Sequence, residues 1–491
     1  LLFVLAKVIG IFVISSFFAL VFIVFSSSAM MYLTGLGTVG TEYLFYTLIG
    51  QNSFLNLLKY INIFYILDGG EFFGSYLNLN IFSNAVTSVP IVFAVFGTVF
   101  LLCTMFSCTL FCKCNQQKTA GIFSRLFEKF KSKFYTLNGS TSIFKGEFYK
   151  FTVQNKMAVM IGLLVLFAII SSFGTVRYPY SEISDADYKA YMEYLEGDIT
   201  VEKENYMLEQ QNYFDDLRQR LDEIAENSEL SENAKQAMSK SIENILNSKG
   251  IAFERVIEQY NRLLELDKKG IDAKFIDENI YKSFVSSKTR EWNDFALLCL
   301  VLVIGVPYVF SVEYKNGMIN LIRTTENGKT KLFFGKIVVE CIYLLIAFTA
   351  LYVPYFVRFI NTYGANSLNT PLVCIFENVQ ETSFSVINAV VVNLICYFLL
   401  ATAVTFVITA VSIFTRSSMF TMVISTVLVI IPLLALYLIE NARIGYWVVN
   451  SHIIAIVMTC LLSILIAIVT LEISKFKFTE TRIWRRINAE A

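Results

Sequence analysis

The chain has 491 residues, 55% hydrophobic and 16% charged, with 40 basic and 40 acidic side chains. Water-soluble globular proteins carry about 25% charged residues, so this chain reads as an integral membrane protein rather than a globule. The balanced charge gives no bulk attraction for nucleic acid. None of the nine cysteines falls in the long polar insert at 178–292, so that insert has no disulfide framework.

The chain begins "LLFVLAKVIG", with no Met, no basic cluster and no small-residue cleavage site. We expect it to be a piece of a longer protein. A membrane-spanning helix needs about 20 apolar residues. Eight stretches qualify: 1–31, 86–112, 157–176, 293–311, 333–357, 384–411, 418–439 and 452–473. The run 43–66 is apolar but interrupted by Gly50, Gln51, Asn52, Asn56 and Lys59. It reads as short helices that dip into the membrane and return, with a ninth span as the alternative.

Lys and Arg gather in cytoplasmic loops. Segment 113–156 has nine basic residues against two acidic ones, Glu128 and Glu147. The tail carries Lys475, Lys477, Arg482, Arg485 and Arg486. The loop 312–336 carries Lys315, Arg323, Lys329, Lys331 and Lys336, and Arg416 lies in a short connection. Placing these on the cytoplasmic side puts 32–85, 177–292, 358–383 and 440–451 outside. Lys59, the one basic residue of 32–85, agrees. Cys112 and Cys114 sit at a membrane edge, too few for a metal site, with His452 far along the chain.

The insert 178–292 holds 25 acidic and 15 basic residues. It has no proline after Pro179, and its glycines are Gly197, Gly250 and Gly270, a helical composition with three break points. Tyr213, Leu217, Leu221 and Ile224 form one apolar stripe; Val256, Tyr260 and Leu263 form another. Glu258 precedes Arg262 by one turn, a favourable order for a surface pair. Ser228 or Ser231 starts a helix after a break. The expected structure is an antiparallel, coiled-coil-like stalk of two or three long helices. Its acidic face is suited to cationic ligands, or simply to staying solvated.

The most provocative motif is "NGKT" at 327–330. A phosphate-binding loop needs G-x-x-x-x-G-K-[ST] after a buried strand. Gly328, Lys329 and Thr330 fit its tail, but Arg323 stands where the first glycine belongs, and the island is too short for an ATPase domain. One histidine cannot supply a base and its orienting group, and no zinc-hydrolase signature occurs. No residue is assigned a catalytic, cofactor-binding or metal-binding role. Glu340, Asn388, Asn393 and Glu472 are the candidates for polar residues deep in the spans. Glu340 follows Lys336 by one turn, which points to a neutralising pair. Asn388 and Asn393 on one span are placed to bond between helices. The loop also holds Met318, Leu321 and Ile322 on one face of a short helix bracketed by Gly317 and Gly328.

This arrangement resembles the permease subunits of type-2, exporter-class ABC transporters. In that family a coupling helix joins the second and third spans. Glu313, Gly317, Lys331 and "FFGK" (Phe333 to Lys336) stand in its order, with Arg323 and Gly335 in the same stretch. "IFKGEFYKFTVQNK" (143–156) is similar to the family's interfacial helix, with Phe144, Phe148 and Phe151 on one side and Glu147 near Lys150. Thr330 and Lys331 replace the Ser-Arg often found before the Phe.

The resemblance implies an all-α polytopic bundle of about eight spans with an extracellular helical hairpin. Residues 1–112 would be the last two spans of a first permease unit with a re-entrant outer segment. Residues 113–156 would be a basic linker and interfacial helix, 157–176 a span, and 177–292 the stalk. Residues 293–477 would complete a second unit, with coupling helix 312–331, and 478–491 would be a cytoplasmic tail. The chain would lie in the plasma membrane, bind no ATP itself and work with two copies of cytosolic ATP-binding subunits. It would export a peptide antibiotic, bacteriocin or drug, with substrate or peptide meeting the stalk. Glu147, Glu313, Gly317, Arg323, Lys331 and Gly335 would couple to the ATPase. Two other classes are a membrane-anchored scaffold or receptor acting in secretion or surface binding, and an ion-coupled carrier. The carrier is disfavoured because Pro307 and Pro432 are the only interior breakers noted.

Overall fold

The computed structural model describes residues 2–24, parts of 31–46, 61–68, 72–73, 78–81, 84–113, 142–155, 157–173, 175–226, 231–315, 317–325, 327–376, 379, 384–439 and 441–479. The linker 114–141, the centre of the expected re-entrant stretch (47–60), Cys114, Lys156 and the tail 480–491 lie outside the described residues.

Among the described residues, seven helices are long and apolar enough to cross a membrane: Phe3–Val24, Val89–Cys112, Glu278–Tyr314, Thr330–Tyr363, Val386–Thr415, Ser418–Tyr437 and Ile453–Thr479. Ile143–Gln154 and Met157–Ser172, bent at the break between them, make an eighth if taken as one broken span. The chain is therefore a helical, multi-pass membrane protein. Side chains such as Leu101, Phe111, Ile170, Ile454 and Met458 lie exposed on these helices. In water such faces would aggregate; in a bilayer they meet lipid.

The chain divides into two compact units. The first comprises Leu1–Val159, Pro307–Val339 and Thr415–Met422. It contains α1 (Leu2–Val24), α2 (Ile63–Leu67), the hairpin β1 (Asn78–Ile81) and β2 (Asn84–Thr87), and α3 (Ser88–Lys113). Then come α4 (Ile143–Tyr149), a π-turn at Lys150–Gln154 and the start of α5 (Met157–Ser172). Around the buried Ala6, Val13, Tyr65, Ile66, Val92 and Phe96, α1 packs on α3 and α2. Asn62 is buried, caps α2 through the Phe64 amide at 2.8 Å, and donates to the Glu42 carbonyl at 2.6 Å.

The second unit comprises Met160–Val306, Glu340–Phe414 and Val423–Ala491. Its polar insert forms α6 (Asp185–Leu195), β3 (Gly197–Asp198), α7 (Val201–Glu226), α8 (Glu232–Ile245), a π-turn at Leu246–Gly250, α9 (Ile251–Lys268) and β4 (Lys274–Phe275). Ser231 caps α8 through the Ala234 amide, one of the two starts expected from sequence. Helix α7 runs antiparallel to the continuous arm from Glu232 to Lys268. Glu204 meets Tyr260 near one end and Arg218 meets Glu254 further on, so residues advance along one arm as they recede along the other, with Phe214 against Phe253 between them.

The insert has its own core, including Tyr188, Met192, Phe214, Phe253, Val256 and Leu263. The expected stripes are only half right. Val256 and Leu263 are buried, but Tyr213 is 46% exposed and its neighbour Phe214 is buried instead. Arg262 pairs not with the exposed Glu258 but with Glu278, and it also reaches the Cys374 carbonyl at 2.8 Å.

Helices α10 (Glu278–Val285), α11 (Lys288–Gly305) and α12 (Pro307–Lys315) follow in one apolar run. After α13 (Met318–Ile322) comes α14 (Thr330–Tyr363), which begins in the first unit and ends in the second. Helices α15 (Val386–Thr415), α16 (Ser418–Tyr437), α17 (Ile444–Val449) and α18 (Ile453–Thr479) complete the chain. Pro354 also lies inside α14, a third interior proline beside Pro307 and Pro432. Tyr343 on α14 donates to the Val301 carbonyl at 3.0 Å and lies against Gly305, where a Cβ would collide with its ring.

Candidate functional site

In the first unit, four charges meet in a closed square. Glu147 on α4 is amphipathically placed and only 5% exposed. One turn on, at the π-turn, Lys150 reaches it at 2.6 Å. Lys150 also bonds Glu313 Oε1 on α12 at 3.0 Å. Lys336, near the start of α14, bonds Glu147 Oε2 at 2.6 Å and lies 3.2 Å from Glu313 Oε1. Its ammonium also donates to the Val309 carbonyl at 2.7 Å. Each acid touches both bases, and the set is neutral. Such burial is tolerable only because each charge is paired and hydrogen-bonded. Three segments separated by up to 189 residues are thereby joined.

Lys336 is the correction to the sequence reading. Its ammonium donates to Glu147 and to the Val309 carbonyl and lies 3.2 Å from Glu313, so its ion pairs run to those two acids on other segments rather than to the expected one-turn partner Glu340. Glu340, fully buried, accepts from Thr409 on α15 at 2.7 Å. Helical spacing identifies neighbours on one helix, whereas the actual partners come from other segments.

The turn after α12 needs its glycine. Gly317 has φ 68°, the left-handed region, and starts α13. Gly328 packs so closely on the Ile322 carbonyl that a Cβ has no room. Arg323 donates to the Tyr314 hydroxyl at 3.4 Å. Lys329 and Lys331 are exposed. Gly335 faces Ile143 of α4 at 3.3 Å from a built Cβ. On α13, Ile319 is buried, while Met318 and Leu321 are 50% and 69% exposed, so the expected apolar face is turned outward.

In the second unit, Asn393 donates to the Val285 carbonyl at 3.0 Å, and Asn388 is exposed. Five residues on a helix is about 140° of rotation, so the two asparagines do not share a face. Glu291 went unread in the sequence because "KTREWND" looks like loop. It is buried at 5% exposure and accepts from Tyr397 at 2.9 Å and from the Gly445 amide at 3.0 Å, with Arg443 4.0 Å away. Glu472 is exposed and near Lys475 at 3.3 Å.

A further polar knot closes the insert. Asp185 accepts from Arg255 and Asn279, both at 2.8 Å, and from the Ser181 and Glu182 amides. Burial pushes its carboxyl up, but those hydrogen bonds prevail and hold it well below the usual range. Asp277 caps α10 through the Ile280 amide at 3.2 Å. There burial dominates and raises the carboxyl to about 6.

Comparison with family models, with curated proteins and with solved structures returned no match for the chain. The class defined by fold and composition is a multi-pass helical membrane protein, and the buried four-charge square is its most distinctive polar site.

Proposed function

We propose that the chain is the transmembrane permease subunit of an ATP-driven ABC exporter. It moves a peptide antibiotic, bacteriocin or drug out of the cell, with two cytosolic ATPase subunits hydrolysing the ATP. The observation that carries the reading is the square itself. It ties α4 to α12 and to the first turns of α14, the segments that the resemblance names as the interfacial helix and the coupling element. A push on α13, whose Met318 and Leu321 stand exposed, would move all of them together. A short helix also stands between each terminal pair of long helices: α2 between α1 and α3, and α17 between α16 and α18. That agrees with the tandem arrangement, whose loops 113–156 and 312–336 face the cytoplasm and whose insert stands outside as a stalk.

The test is transport with and without the coupling surface. Replacing Met318 and Leu321 by Ser leaves the buried square alone. If the reading is right, substrate export and co-purifying ATPase activity both fall, while the protein remains folded. Full export by the double variant would defeat the reading. The second reading, a membrane-anchored scaffold or receptor, draws support from the insert's own buried cluster, which also takes in Val373 and Cys374, and from its excess of acidic residues. It predicts surface binding that survives loss of every ATPase partner.

A further inference from the structure

On one side of α15 a thiol meets a thiol. Cys396 on α15 and Cys460 on α18 are 64 residues apart in sequence, yet their Sγ atoms stand 3.4 Å apart, one S–H donating to the other sulfur. Both belong to the second unit, and both are free thiols. A disulfide bond is about 2.04 Å long, so bond formation needs the two sulfurs to close by about 1.4 Å.

The two sides are held differently. Asn393 and Tyr397, which flank Cys396 on α15, are tied to the Val285 carbonyl at 3.0 Å and to Glu291 at 2.9 Å. Among the residues of α18 only Ser463, Ser474 and Phe478 are buried, so α18 is the helix with room to shift. Exposure separates the two thiols as well. Cys396 is buried, whereas Cys460 is partly exposed. Its neighbours Val457, Met458, Leu461 and Leu462 stand exposed on a helix apolar enough to cross a membrane, where such side chains meet lipid. An oxidant that reaches Cys460 there comes through the bilayer. Oxidation of an accessible thiol to a sulfenic acid, followed by condensation with a second thiol, makes a disulfide.

We infer that Cys460 and Cys396 form a peroxide-reactive dithiol, which an organic hydroperoxide in the lipid phase converts to a disulfide between α18 and α15. The Cys460 sulfur attacks the terminal peroxide oxygen. The O–O bond breaks, an S–O bond forms, and the hydroperoxide leaves as its alcohol with the thiol proton. The Cys396 sulfur then attacks the Cys460 sulfenic acid. The S–S bond forms, and the hydroxyl leaves as water with the Cys396 proton. The two thiols lose two electrons in all, and the peroxide takes them up. The inference is independent of the coupling reading, because neither cysteine belongs to the four-charge square. Two packed but unreactive thiols are the competing case.

The experiment treats reduced, full-length protein in lipid nanodiscs, one chain per disc, with cumene hydroperoxide. Free thiols are then blocked, and unreduced peptides are mapped by mass spectrometry. The wild type should yield a linked Cys396–Cys460 peptide that accounts for most of the Cys396 and is cleaved by dithiothreitol. Cys396→Ala should lose the link and leave a sulfenic acid on Cys460, captured by dimedone. Cys460→Ala should lose the link and give no dimedone adduct at Cys396. Cys108→Ala, which changes an exposed thiol of the first unit, should link as wild type. If Cys396→Ala fails to fold, the wild type and Cys460→Ala carry the test. Absence of the linked peptide in the wild type, or a dimedone adduct at Cys396 in Cys460→Ala, overturns the inference.

Discussion

Without the ammonium of Lys336, the carboxylates of Glu147 and Glu313 would face each other at 5% and 3% exposure with only Lys150 between them. Breaking a buried pair on one side costs about 3–5 kcal/mol. Lys336→Met should therefore lower the melting temperature sharply in a tryptophan-fluorescence melt. Lys150 is 33% exposed, so Lys150→Ala should cost less, about 1 kcal/mol or under. Equal losses from the two would refute the asymmetry. The insert's carboxylates make a separate prediction about pH. Asp185 is depressed in the folded state, so its stabilisation is full above its ordinary value of 3.8 and is lost as pH falls below that. Asp277 is raised to about 6, so its ionised form is penalised when folded, and stability rises as pH falls through 6 toward 3.8. Melts at pH 7, 5 and 3 should show the rise first and the loss last. Asp277→Asn should shrink the rise, and Asp185→Asn the loss. Glu147 and Glu313 were legible in sequence as acids in polar islands beside apolar runs. Lys336 was misassigned because i,i+4 spacing reveals only same-helix neighbours, and its real partner lies 189 residues away.

At the level of elements, long apolar stretches and basic loops were easy to read, since lipid demands about 20 apolar residues per crossing. The start of α11 was not. Arg290, Glu291 and Asp294 have the composition of a loop, yet they lie on a continuous helix where Glu291 finds Tyr397 and Gly445. The hairpin's two arms followed from a proline-free, glycine-poor composition, while the face was read only in part: Leu217 of the predicted stripe is buried in the core, but Tyr213 is exposed and Phe214, one step on, carries the packing onto Phe253. Leu263 is fully buried in that core, so Leu263→Ala should destabilise the insert by about 2–5 kcal/mol, measured as loss of amide-exchange protection on α7 and α9. Gly317 closes α12 into α13 at φ 68°. Gly317→Leu should cost roughly 1–2 kcal/mol and should loosen α13 in the same exchange measurement. Unchanged protection on α13 would show that the turn does not depend on glycine.

For the whole molecule, the seven candidate spans among the described residues and the two compact units define a helical membrane protein, and within the first unit the square links three separate segments by ion pairs. If the protein is the proposed exporter, deletion of 181–290 tests the insert: surviving export would make it a regulator, and lost export would make it part of the path. The most direct test of the proposed function is whether an ATPase accompanies the protein. Tagged full-length chain, extracted from its native membrane, should bring ATP hydrolysis with it. That activity should be lost from the Met318→Ser, Leu321→Ser double variant, which leaves the square and the core intact. A folded wild-type chain that carries no ATPase, or a double variant that keeps it, would contradict the account.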